Sequence, residues 1–141
     1  YKRQPVVFGR GSWELYARAF ATADIMNIPE ETHMAMMDRL WKERKIMRSL
    51  DELADFYVEY GADREKFLST AQSFAVDGKI RKDQQLVREY GITGTPSMVV
   101  AGKYRVSGNA ALPSFDAILD VVDYLVGMEK ANLTENSVAA E

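Results

Sequence analysis

The sequence predicts an α/β fold in which a block of helices interrupts a small sheet. Three observations carry this. The first residues, "QPVVF", are β-branched and aromatic. The stretch from Ser12 to Tyr90 has apolar residues at helical spacing. After Gly94 the period drops to two, in "PSMVV" and "KYRV".

Each element has a local reason. "QPVVF" has a proline near its start and "GRG" after it, the pattern of a strand leading into a turn. Gly9 and Gly11 lack the third glycine and the lysine of a phosphate loop, so a plain turn is the better reading. Ser12 is placed to cap a first helix with the stripe Trp13, Tyr16, Ala17 and Phe20. Pro29 sits at a natural helix start, and Met34, Met37 and Trp41 are expected on one face of the helix that follows. Ser49 with Glu52 forms a capping box ahead of Leu50, Leu53, Tyr57 and Tyr60, and Gly61 closes that helix. Asp63 opens the next, with Phe67, Ala71 and Phe74 inward. A fifth runs from about Asp77 to Tyr90, carrying Ile80, Leu86 and Val87, and Gly91 stops it.

Beyond the block, Ala101-Gly102 joins two short strands in a hairpin. A type I turn with a glycine bulge at Gly102 is expected, because a type I′ turn puts Ala101 at positive φ. Ser114 opens a last helix bearing Phe115, Ile118, Leu119, Val122, Leu125 and Val126. From residue 130 the tail is polar and aperiodic and is expected to fray. Its sequon, Asn132-Leu133-Thr134, reads as chance.

Composition narrows function. The chain has 141 residues, 47% of them apolar and 28% charged, with a net charge of −3 and both signs interspersed. That is ordinary for one globular domain and argues mildly against a nucleic-acid binder, which normally shows a basic excess on one face. "WKERKIMR" is flanked by acids and reads as a solvated helix face. There is no cysteine, which removes disulfides, thiolate metal sites and a cysteine nucleophile from this chain. The one histidine, His33, has no serine or histidine neighbour, so it is expected to be a half-buried structural residue. No cofactor or metal is expected. No run reaches the roughly 20 apolar residues of a membrane span. The chain opens at Tyr1 directly in a strand-like stretch, so it is expected to be part of a longer polypeptide.

The loop "YGITGTPSMVV" raises the sharpest question. Proline has no N–H to donate, and the residue before it leaves the helical region. An X-Pro bond in a folded protein is cis in only about 5–6% of cases, so local physics favours trans. At the mouth of the hairpin, a proline interrupts pairing and leaves the backbone of Thr95 free to bond an extended peptide.

"GITGTPSMVVAGKYRVSG" resembles the cis-proline loop and following hairpin of the DsbA family of bacterial periplasmic thiol–disulfide oxidoreductases. These are thioredoxin-fold proteins with an inserted helical domain. "PVVFGRGSWELYARAFATADIMNI" resembles the family's third strand and entry into the insertion, and "FDAILDVVDYLV" its closing helix. The resemblance implies a thioredoxin-like part, incomplete in its sheet, over residues 1–11 and 91–129. It implies a helical insertion over 12–90 and a flexible tail over 130–141. It further implies a cis Thr95-Pro96 bond, with Thr95 and Pro96 as substrate-binding residues. The implied partners are reduced or unfolded exported proteins and a membrane-bound reoxidising protein, and the implied location is the periplasm.

Two departures stand out. The family's chemistry lies in a Cys-x-x-Cys at a helix start, which lowers the first thiol's pKa. That motif is expected upstream of Tyr1, so this chain alone is expected to be redox-inactive, with no catalytic residue of its own. Family members also commonly carry asparagine where Ala101 stands. The missing strand belongs between "PVVF" and "SMVV", which predicts that this chain self-associates to cover the gap. Five methionines (Met26, Met34, Met36, Met37 and Met47) cluster in the helical block; an adaptable client-binding face is one reading and ordinary core the better one. Two other functions share the architecture. Kappa-type glutathione transferases and isomerases usually carry a Gly-Gln-Asp-Arg-like segment after the hairpin, and "VSGNAALPSF" offers none. A cysteine-free peptide-binding module is the other.

Overall fold

The computed structural model describes residues 2–138. Five helices come first: α1 (Gly11–Ile25), α2 (Glu31–Trp41), α3 (Leu50–Val58), α4 (Arg64–Ala71) and α5 (Phe74–Glu89). Strands β1 (Ser97–Val100) and β2 (Tyr104–Ser107) and the long helix α6 (Phe115–Val138) follow. The chain divides into two compact units, Tyr1–Val87 and Arg88–Glu141. Residues 2–11 fall in the first unit.

Helix ends in the first unit are set by local chemistry. Ser49 Oγ accepts from the Glu52 N–H at 3.1 Å, and Asp63 Oδ1 from the Lys66 N–H at 2.8 Å. The capping box is not reciprocal, since the Glu52 carboxylate accepts from the Arg48 N–H one residue further out. Gly61, at φ +87°, ends α3 in a Schellman motif, with Ala62 N–H donating to the Tyr57 carbonyl and Gly61 N–H to that of Val58. Asn27, at φ +53°, ends α1 in the same way through Ile28 and Ala23.

The first unit's core is continuous. Leu53, Ala54, Phe56, Tyr57 and Phe67 are buried together with Ala19, Ala23, Met36 and Met47. Tyr57 stacks on Phe67 at 4.8 Å between centroids and meets Phe56 edge-on at 5.1 Å. Rings this close add to the roughly 1.5–3 kcal/mol that each large apolar side chain contributes by leaving water. Tyr16 pins the irregular segment before α3, its hydroxyl bonding both the N–H and the carbonyl of Met47 at 2.9 Å. Of the five clustered methionines, Met36 and Met47 are buried, and Met26 and Met37 pack against the core. They are core, as the ordinary reading has it, and only Met34 stands out in solvent.

Several expectations are corrected. Residues 2–7 form no strand; they lie against α5, with Gln4 Nε2 donating to Asp83 and Gln84 Nε2 to the Pro5 carbonyl, both at 3.3 Å. A strand is defined by its pairing, and no described residue pairs with this stretch. Ser12 does not cap α1, which begins a residue earlier at Gly11 after a turn with Phe8 and Gly9 at positive φ. Met34 and Trp41 are exposed, and α2 buries Thr32 and Met36 instead. Phe74 is 81% exposed, because α5 starts there and turns its inner face to Val76 and Asp83. Tyr60 is exposed and Phe56 takes its place inside. The tail expected to fray continues α6 to Val138; residues 139–141 lie outside the described residues.

In the second unit, β1 and β2 pair antiparallel with Val100 opposite Tyr104 and Ser97 opposite Ser107. The turn departs from expectation. Ala101 (φ +53°) and Gly102 (φ +70°) both lie in the left-handed region, as in a type I′ turn, and Lys103 N–H donates to the Val100 carbonyl at 3.0 Å. The tight twist of the hairpin overrides alanine's reluctance at this position. Ser114 Oγ accepts from the Ala117 N–H at 3.1 Å and so starts α6, as expected. Ile118 is the most deeply buried of the described residues of α6.

Candidate functional site: the Thr95-Pro96 loop

Residues 90–97 link the end of α5 to β1. Gly91, at φ +60°, turns the chain out of the helix, and its N–H donates to the Arg88 carbonyl at 3.0 Å. The Arg105 guanidinium lies on this turn, donating to the Tyr90 carbonyl at 3.2 Å and also to that of Gly91. Glycine is needed here for its φ; a Cβ would sit 2.7 Å from Arg105 Nη1 and push that flexible guanidinium aside. Gly94 has no such neighbour. Its part is its carbonyl, which accepts from Ser97 Oγ at 2.7 Å. Ser97 Oγ also lies 2.9 Å from Ser107 Oγ across the ladder.

Between these fixed points stand the two residues singled out from the sequence. The Thr95-Pro96 bond is cis, as the resemblance implies and against local physics alone. Thr95 and Pro96 are both exposed. Among the described residues, neither the N–H nor the carbonyl of Thr95 has a hydrogen-bond partner. A donor and an acceptor held on a clamped, solvent-facing loop at the head of a strand can bond an extended peptide chain. Neither side chain titrates near neutral pH, and among the described residues no base is hydrogen-bonded to the Thr95 hydroxyl to activate it.

Arg105 and the Ser97–Ser107 pair were not picked out by sequence reading. They act through backbone carbonyls and across a strand register, and neither leaves a spacing signal. Behind the hairpin, Lys103 Nζ meets Glu129 of α6 at 2.6 Å. That hydrogen bond holds the Glu129 carboxyl below the ordinary carboxylate range and the Lys103 ammonium above its own. No group of three or more histidines, cysteines or acids suited to a metal is found among the described residues.

The helical block, the small antiparallel hairpin, the closing helix and the cis-proline loop define a thioredoxin fold with a helical insertion. The family model for the DSBA-like thioredoxin domain matches residues 5–120, and the chain belongs to that family. It is 39% identical over 132 residues to the thiol:disulfide interchange protein DsbA of Pseudomonas aeruginosa, and 36% to that of Pseudomonas syringae pv. tomato. The match takes in 93% of this chain and 61% of the Pseudomonas aeruginosa protein, so the chain spans about three fifths of the length of that relative. The crystal structure of Pseudomonas aeruginosa DsbA superposes with a TM-score of 0.84 at 37% identity, over 94% of this chain and 68% of that one. DsbA from Xylella fastidiosa superposes at 0.78 with 31% identity, over 86% of this chain and 64% of that one. Proteus mirabilis DsbA, solved with a non-covalently bound peptide, shares the fold at 0.70 and 21% identity.

Proposed function

We propose that this chain supplies the substrate-facing part of a thiol–disulfide oxidoreductase that introduces disulfides into exported proteins. The single observation that carries the reading is the cis Thr95-Pro96 loop with its unpartnered Thr95 backbone, in a chain of the DsbA-like family. Thr95 holds the client backbone in extended form beside β1. Pro96 shapes the loop and keeps its own position free of competing N–H groups. The redox step belongs to a Cys-x-x-Cys of the same polypeptide outside these residues, since disulfide exchange requires a thiolate and this chain contains none. By itself the chain is redox-inactive. In the complete sheet, "PVVF" forms the strand that it does not form here. The polypeptide works in the bacterial periplasm and is reoxidised by a membrane-bound protein; membership of the family supports both statements.

The test is made on the intact polypeptide purified from its source. Stoichiometric oxidation of a reduced peptide, with Thr95→Pro raising the KM for that peptide about 2–10-fold through loss of one N–H donor, is the expected result. A cysteine-free intact polypeptide would overturn the oxidase reading and leave a peptide-binding module.

The 141-residue chain alone self-associates through the open edges of its hairpin. Light scattering at micromolar concentration should show dimers or larger species; a clean monomer with a cooperative melt would remove this proposal.

A further inference from the structure

The first unit holds a cavity of about 230 Å³ that the peptide-binding reading does not use. Phe20, Ile28 and Tyr57 line its apolar part, His33 one side, and Lys2 and Arg3 belong to its charged part. The volume is below the roughly 300–1,000 Å³ of pockets that enclose drug-sized ligands, so a small occupant fits.

Three features of the lining point to one chemistry. Tyr57 is only 3% exposed and its ring is held by Phe56 and Phe67, yet its hydroxyl has no hydrogen-bond partner among the described residues. Asp83 Oδ2 is the one fully enclosed side-chain polar atom without a partner among the described residues, so the Tyr57 oxygen keeps open surface where the residue lines the cavity, and its O–H is available to an occupant. Burial pushes the phenol up to about 12, so it is a donor at any physiological pH. His33 meets Phe20 edge-on at 5.7 Å, and its imidazole also has no hydrogen-bond partner among the described residues. Burial and the nearby Arg3 lower its pKa, so at neutral pH it is an uncharged donor and acceptor.

The charges around the cavity are largely matched. Glu30 pairs with Arg3, and Asp24 with Lys79 at 3.0 Å. Lys2 has no acid within ion-pair distance among the described residues, which leaves an unmatched positive charge. Aromatic and aliphatic walls, a phenol donor open to the cavity and one unmatched ammonium suit an anion on a compact ring.

We propose that this cavity binds a small carboxylate carried on an aromatic ring, the ring against Phe20 and Ile28 and the carboxylate accepting from the Tyr57 hydroxyl near Lys2. The same chemistry is offered by a free aromatic acid and by a peptide ending in phenylalanine.

The experiment titrates the 141-residue chain, ¹⁵N-labelled, with 3-phenylpropionate, its primary amide, 2-phenylethylammonium and N-acetyl-Ala-Phe. Saturable amide shifts around His33 are expected with the acid, about 10-fold weaker binding of the amide, and none of the ammonium. Tyr57→Phe keeps the ring and is expected to weaken the acid about 5-fold by removing one donor, with an unchanged melting temperature. Lys2→Gln, at an exposed position, is expected to weaken it about 3-fold, and that loss should vanish at high salt. Binding of the acetylated dipeptide as well would identify a chain terminus as the ligand, and its failure to bind a free acid. No saturable shift with the acid, equal affinity for acid and ammonium, or undiminished binding by both variants would overturn the proposal.

Discussion

The helical unit and the hairpin unit are built on opposite terms. In the first, α1, α3 and α4 enclose stacked aromatic rings, and Leu53, Phe56 and Phe67 are almost wholly removed from water. In the second, among the described residues, two four-residue strands pair only with each other, and Val100, Val106 and Ile118 are the apolar side chains buried deeply. Its connecting loop is held mainly by polar contacts: a guanidinium on two carbonyls, a serine on a third, and two serines across the ladder. Apolar burial gives the first unit its stability and leaves little backbone to offer. Polar clamping gives the second a fixed loop whose Thr95 backbone remains open to a ligand.

The contrast is broken most severely in the helical core. Phe67→Ala removes a fully buried ring stacked on Tyr57. It should cost about 3–5 kcal/mol and be seen as a large drop in the denaturant midpoint. In the loop, the same measurement on Gly91→Ala should show a smaller loss, about 1–2 kcal/mol for the left-handed backbone. The added methyl also displaces Arg105, so amide exchange at residues 91–94 should rise in this variant and in Arg105→Ala. If Gly91→Ala cost as much as Phe67→Ala, the division of labour between the two units would be wrong.

Smaller effects sharpen the comparison. Ala101→Asn places a residue that tolerates positive φ ahead of Gly102, and should stabilise the hairpin by about 0.5 kcal/mol in a thermal melt. The smallest effect is a pH slope. The folded-state pKa of His33 lies below its ordinary 6.5, so the folded state disfavours the proton. Stability from this residue is complete above pH 6.5 and declines as pH falls from there toward the depressed value. His33→Gln should flatten that part of the stability–pH curve, and an unchanged slope would show that His33 is not its source.

What the sequence made legible follows from how local each cause is. The caps at Ser49 and Asp63, the stop at Gly61 and the opening at Ser114 are short-range hydrogen bonds, and all were readable. The hairpin was readable from its change of period. The cis bond at Pro96 was readable only through resemblance, because local physics favours the other isomer. Non-local causes were missed. "PVVF" has strand composition, but pairing decides a strand, and no partner lies among the described residues. The rotation of α2 that buries Met36 instead of Met34 is set by the neighbouring helices. Ala101 occupies its left-handed turn because the hairpin demands it, not because alanine favours it. At the loop, Thr95 and Pro96 were legible as a pair, while Arg105 and Ser107 reach it through register and shape.

The most direct test of the central claim is the amide of Thr95 itself. The ¹⁵N-labelled chain would be titrated with an extended, cysteine-free peptide while hydrogen exchange is followed residue by residue. A downfield shift and slowed exchange at Thr95, with the amides of Leu53 and Phe56 unmoved, is the predicted result. A peptide that saturates elsewhere and leaves Thr95 unchanged would contradict the account.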